Sequence, residues 1–267
     1  MARDFGPRIL SIRRLGGENL LAAVPQKQID TAYGPFYLRG GHRLWHAPEA
    51  MPRSYVPDNT PPEIKRTEEH SLHCIGSVEG PTQIQKDIQI TLREDSVRLE
   101  HSLTNHGNWP VELAPWAITM LKPGGIAVFP ETSRRTDPHG LLPNRALVLW
   151  SYTRLSDPRL IFDEGVIRVD ADAAIAEPLK FGYANTAGWQ AYFRPDLRTW
   201  FIKACDYQYS ATYPDMGSSA ECYCCGAFIE LESLGPLVHL EPGKRITHTE
   251  VWYVWGDMGF DDLGRLV

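Results

Sequence analysis

The sequence predicts an all-β protein, a large twisted antiparallel β-sandwich. Three observations carry that reading. Apolar and polar residues alternate at period two through several runs, whereas a helical period is hard to find. The 21 Pro and 22 Gly punctuate these runs at spacings that suit sandwich turns. The aromatic share is 10%, with 8 Trp and 11 Tyr, and such residues favour a pleated surface. At 267 residues the chain is long for one domain, but all-β sandwiches of roughly 200–250 residues form single domains. It shows no internal repeat and no dividing linker, so residues 1–267 read as one domain.

Along the chain, IQKDIQITL (84–92) puts Ile84, Ile88, Ile90 and Leu92 on one face. REDS follows as a turn, and VRLEHSLTN (97–105) then alternates Val97, Leu99, His101 and Leu103. That pattern is a strand pair with a short connection. The runs 198–213, 220–233 and 244–255 are further strand candidates, rich in β-branched and aromatic residues. Two proline- and glycine-rich stretches, 47–65 and 122–145, predict long loops, which in compact domains are commonly functional.

The charge balance is 27 Lys+Arg against 33 Asp+Glu, a net of −6. This gives no electrostatic footprint for nucleic acid or an anionic membrane. No apolar run approaches the roughly 18 residues of a membrane span. The opening MARDFGPRILSIRRLGG lacks the apolar core and cleavage site of a secretion signal, so a cytoplasmic location is expected. The five cysteines are an odd number, and CYCC (222–225) lacks paired zinc-ligand spacing, so no metal site is expected. LGGENL and KPGG do not fit a phosphate-binding loop, so no nucleotide cofactor is expected. No Gly-x-Ser-x-Gly elbow is present.

Four stretches hold the candidate chemistry. GAFIELES (226–233) sets Glu230 and Glu232 two residues apart, on one face of a strand. Burying two carboxylates side by side needs partners, so the pair either faces water or lines a site. RGGHRLWHAPE (39–49) gathers Arg39, His42, Arg43, Trp45 and His46 around two glycines, in a stretch able to recognise hydroxyls and stack on a ring. YPDMG (213–217) is a turn that offers Asp215 as an acceptor. EEHSLH (68–73) sets His70 and His73 beside carboxylates, the raw material of acid–base work, although exposed polarity explains it better.

The tail adds a resemblance. Gly-x-x-x-Glu-x-Glu, then Leu240–Pro242–Gly243, then His248–Thr249 and an aromatic last strand, resembles the end of aldose 1-epimerases, the galactose mutarotases. HSLTNHGNWPVELAPW (101–116) is similar to the family's middle, and the motifs together resemble its DUF4380-type branch. The resemblance implies a mutarotase-like supersandwich, a small-molecule carbohydrate partner and Glu230 as catalytic base. It also implies a histidine acid, but the matching position holds Trp116, which can stack on a sugar and cannot transfer that proton. His42 and His73 are then the candidate acids, and Arg39, Arg43, Trp45, Trp116, Asp215 and Glu232 the candidate substrate-binding residues. Two functions follow as expectations: an aldose 1-epimerase-like isomerase, or a non-catalytic carbohydrate-binding protein. In both, Glu230, Glu232 and Phe228 face a cleft while Ile229 and Leu231 enter the core.

Overall fold

The structure, a computed structural model, describes residues 1–131 and 134–267. In chain order its strands are β1 (Arg8–Ile9), β2 (Ala23–Thr31), β3 (Gly34–Gly40), β4 (His42–Ala47), β5 (Glu63–Glu68), β6 (Ser71–Val78), β7 (Ile84–Leu92), β8 (Val97–Asn105), β9 (Val111–Leu121), β10 (Ile126–Pro130), β11 (Leu147–Leu149), β12 (Leu160–Asp163), β13 (Val166–Asp170), β14 (Leu179–Tyr183), β15 (Trp189–Arg194), β16 (Thr199–Ala204), β17 (Ala220–Cys225), β18 (Phe228–Leu234), β19 (Val238–Leu240) and β20 (Arg245–Gly256). One helical turn, α1 (Pro214–Gly217), and two 3-10 turns complete the described elements.

Two antiparallel sheets pack face to face. The first runs β1-β4-β9-β18-β17-β14-β11, with β19 also on β9, and the second runs β12-β13-β10-β15-β16-β20-β8-β7-β6-β5. The hairpin β2–β3 stands apart as a third layer. Both sheets draw strands from both halves of the chain, so neither half can close its own core.

The alternation in the sequence explains the layers. Leu121, Ile229, Leu231, Phe181, Cys222 and Cys224 of the first sheet meet Ile88, Leu99, Phe129, Phe201 and Trp252 of the second in one buried cluster. Removing an aliphatic side chain of this kind from water contributes about 1.5–3 kcal/mol. The predicted pair at 84–105 forms as β7–β8, with Leu92 opposite Val97 across the turn.

Three sequence expectations change. The run 220–233 is a tight hairpin rather than one strand, because Gly226 and Ala227 turn β17 back onto β18. The supposed loop 122–145 contains β10, which pairs with β13 on one side and β15 on the other. Its short apolar run was hidden by Gly124, Gly125 and Pro130; residues 132 and 133 of that stretch lie outside the described residues. The run 198–213 stays in the sheet only through Ala204, after which Tyr207, Tyr209 and Tyr213 pack on one another. By contrast, 47–65 is a long connection, broken only by the 3-10 turn Arg53–Tyr55 and the start of β5. All five cysteines are free. Among the described residues no helix is long and apolar enough to cross a membrane.

A polar knot sits inside the sandwich. Lys203 is fully buried and ion-pairs with Glu250 at 2.9 Å. Its ammonium also donates to Ala117 O, Leu231 O and Thr119 Oγ1 at 2.9, 3.0 and 3.2 Å. His42, His101 and His248 surround the pair. A buried charge pair survives only when its remaining donors and acceptors are satisfied in this way.

Candidate functional site

The site grows from the outward parity of the first sheet. On β18, Ile229 and Leu231 point into the core, so Phe228, Glu230 and Glu232 share the opposite face. Register places Glu230 across from Met120 on β9 and Tyr223 on β17, and Glu232 across from Ile118 and Glu221. Further along the sheet the same face carries Arg43 and Trp45 on β4, Trp116 on β9 and Lys180 on β14. These side chains floor a cavity of about 360 Å³. Its walls come from Ile29 and Leu38 of the β2–β3 hairpin, Glu49 and Tyr55 of the long loop, and Trp150 and Tyr152. Phe228 and Lys27 close another side, with the Lys27 ammonium 5.3 Å from the ring centre.

Each floor carboxylate has its own cation. Arg43 donates to Glu230 Oε1 at 3.0 Å and lies over Trp45, 4.5 Å from the ring centre. Glu232 Oε2 accepts from Trp116 Nε1 at 2.7 Å and from Lys180 Nζ at 3.1 Å. Lys180 also reaches Glu221 at 2.8 Å and sits against the rings of Trp116 and Trp150, at 4.6 and 4.7 Å. The apolar rings and the sheet behind them exclude water, which strengthens these contacts and makes any unpaired charge costly.

Burial pushes the Glu230 carboxyl above its ordinary range; Arg43 opposes this and Glu232 adds to it. Burial pulls Lys180 down, but Glu232 and Glu221 overcome it and hold the ammonium well above its usual value. Glu221 is pushed well up by burial, against Lys180 and with help from Glu232 and Asp215. Asp215 also rises through burial. Three carboxyls thus crowd one ammonium, and burial favours the protonated form of Glu221, the most enclosed of them. Tyr152 in the wall is pushed up to about 12 by burial.

The structure brings together six of the nine sequence candidates: Glu230, Glu232, Arg43, Trp45 and Trp116 line the cavity, and Asp215 lies behind it beside Glu221. The other three stand elsewhere. His42 is fully buried on the inward face of β4, with Nε2 2.7 Å from His101 Nε2 and Nδ1 2.9 Å from Thr119 Oγ1. It neighbours Arg43 in sequence, and adjacent strand residues point to opposite faces. His73 sits on β6 of the second sheet, 2.7 Å from Asp87. Arg39 has its guanidinium 3.8 Å from the centre of the Phe5 ring and donates to Asn59 at 2.6 Å. Asp215 and Met216 both adopt left-handed backbone, with φ of 49° and 58°, which makes YPDMG a tight turn.

No family model matches the chain. No curated protein matches it either. Solved structures do share its shape. A candidate mutarotase from Salmonella typhimurium superposes with a TM-score of 0.53 at 14% identity, over 94% of this chain and 85% of that one. A galactose mutarotase-like protein from Lactobacillus casei gives 0.51 at 9% identity, over 82% and 86%. A TPR-domain containing protein from Parabacteroides distasonis gives 0.62 at 14% identity, where 94% of this chain spans 44% of that one. The fold is the galactose mutarotase-like one.

Within this mutarotase-like fold, none of the described residues lining the cavity is a histidine. Sequence reasoning missed Lys180, Glu221, Trp150, Tyr152 and Tyr223. Lys180 and Glu221 had one usable signal: each is a charged residue inside an apolar strand run, LKFGY and AECYCC, which calls for a buried partner.

Proposed function

We propose that this chain is a carbohydrate-binding protein of mutarotase-like fold, with Glu230 and Glu232 accepting the hydroxyls of an uncharged sugar ring. The observation that carries the proposal is the carboxylate pair on the floor of an aromatic-walled cavity. Its volume falls in the ~300–1,000 Å³ range of small-molecule pockets. A sugar ring has apolar faces that suit Trp45, Tyr55, Trp116 and Tyr152, and edge hydroxyls that suit carboxylate acceptors. Arg43 and Lys180 are already matched by Glu230, Glu232 and Glu221, so the floor offers acceptors rather than free cations. A sugar phosphate or sugar acid placed there would meet carboxylates. Residues 1–267 are read as one such domain. Its assignment to the DUF4380-type branch rests on the GGHRLWHAPE, YPDMG and IELESLGP motifs.

The absence of a histidine from the described cavity lining favours binding over anomer interconversion, since a mutarotase acid must reach the ring oxygen. A second reading keeps catalysis: burial raises Glu230 towards working pH, as a carboxyl general base requires. Titration calorimetry over a panel of neutral aldoses, aldose phosphates and uronic acids tests the first reading. Binding confined to phosphates or uronates would overturn it. Polarimetry of freshly dissolved aldoses tests the second, which fails if mutarotation runs no faster than in buffer.

A further inference from the structure

We infer that His46 is a positioning residue: its neutral imidazole holds one wall of the cavity closed, and its protonation releases that wall. The inference rests on the proposed reading only for what the cavity binds.

The wall is the segment 48–56 that follows β4. It contributes Glu49 and Tyr55 to the cavity lining. Tyr55 packs edge-on against Phe36 and Trp45, at 5.5 and 5.0 Å, and its hydroxyl donates to Glu49. Arg53 returns across the base of this segment. One guanidinium nitrogen donates to Pro48 O, and the other lies 3.0 Å from His46 Nδ1. Arginine has no acceptor, so Nδ1 must accept. The ring hydrogen then sits on Nε2, which is 3.3 Å from Glu79 Oε2. His46 itself is 1% exposed, so no water can substitute for Arg53.

The charged groups around the imidazole are few. Arg53 faces it from the 3-10 turn, and Glu79 from the turn after β6. Lys86 on β7 pairs with Glu79, and the Thr82 hydroxyl donates to the same carboxylate. From β9 the register partner is Pro115, which is uncharged. A proton on Nδ1 would set two donors and two positive charges against each other. Glu79, already shared with Lys86, offsets only part of that repulsion.

Burial lowers the proton affinity of His46 from the ordinary 6.5 while the wall is closed. Opening restores the ordinary value. The closed wall is therefore unaffected above that pH and weakens below it, by about tenfold per pH unit for one linked proton. Glu79, held down at about 2, stays ionised throughout.

Hydrogen-exchange mass spectrometry on the full chain, with no sugar present, tests this. Protection of segment 48–56 is followed from about pH 7.5 to about pH 4.5 after correction for intrinsic exchange. The wild type should lose about tenfold in protection per pH unit below the transition, and the His46 NMR titration should track it. His46→Gln, whose amide can accept from Arg53 but cannot titrate, should give a flat profile. Glu79→Gln removes the carboxylate that favours the imidazolium in the closed wall, so the loss of protection should begin at the same pH and run deeper. A wall that stays protected after NMR shows His46 protonated, or one that opens alike in His46→Gln, overturns the inference. Failure of sugar binding alone would leave it standing.

Discussion

Lys180→Met is the perturbation whose size the structure sets most directly. The ammonium lies 2.8 Å from Glu221 and 3.1 Å from Glu232, and those carboxylates are 0 and 1% exposed. Methionine fills much of the same space between Trp116 and Trp150, so the packing loss is small. What remains is a buried carboxylate pair with no cation. Breaking a buried ion pair from one side costs about 3–5 kcal/mol. Trp116 still donates to Glu232, and Glu221 can protonate, so the lower end, about 3 kcal/mol, is expected near pH 7. The sign of the pH dependence follows. A carboxyl whose folded pKa is raised binds its proton more tightly folded than unfolded. It therefore costs stability as pH rises above the unfolded value of 4.5, and that cost shrinks on acidification. Urea unfolding at several pH values should show a deficit that is largest at neutral pH and narrows towards about pH 5. A loss below about 1 kcal/mol, or one independent of pH, would refute the reasoning.

Other substitutions separate the two faces of β18 and test the carboxylate contacts. Trp116→Phe removes the 2.7 Å bond to Glu232 and should cost about 1.5–3 kcal/mol in denaturant melts, with weaker sugar binding in calorimetry. Ile229→Ala opens the inter-sheet core and should cost about 2–5 kcal/mol in the same melts. Glu221→Gln removes a carboxyl that burial already pushes up, so it should change stability by less than about 1 kcal/mol at neutral pH. It should also flatten the pH dependence of unfolding.

Much of this was legible from short-range pattern. Period-two alternation in IQKDIQITL and VRLEHSLTN specified β7 and β8, and parity in FIELES sent both carboxylates outward and Ile229 and Leu231 inward. The same parity excludes His42 once Arg43 is placed in the cavity, because neighbours on a strand cannot share a face. What stayed hidden is set by strand pairing across long separations. Lys180 reaches Glu232 only because β14 pairs with β17 and β17 with β18. No local feature of LKFGY encodes that order. β10 was lost for a different reason: four apolar residues between Gly and Pro read as a turn unless two partner strands are known. Arg39 failed because its φ of 58° takes it out of regular strand geometry, so parity with Arg43 does not fix its direction.

The central claim is that Glu230, on the floor of this cavity, binds a neutral sugar. Saturation-transfer NMR and titration calorimetry of a neutral aldose panel, on the wild type and on Glu230→Gln, test it most directly. Glutamine keeps the shape of the floor and can still accept from Arg43, but it leaves that buried guanidinium without its anion, so the melting temperature should fall and binding is compared where both proteins are folded. The account predicts saturable binding of at least one neutral aldose by the wild type, weakened about tenfold or more by Glu230→Gln, since hydrogen bonds to a charged acceptor contribute about 1.5–3 kcal/mol. Equal affinity in the two proteins, or no saturable binding of any aldose by the wild type, would contradict it.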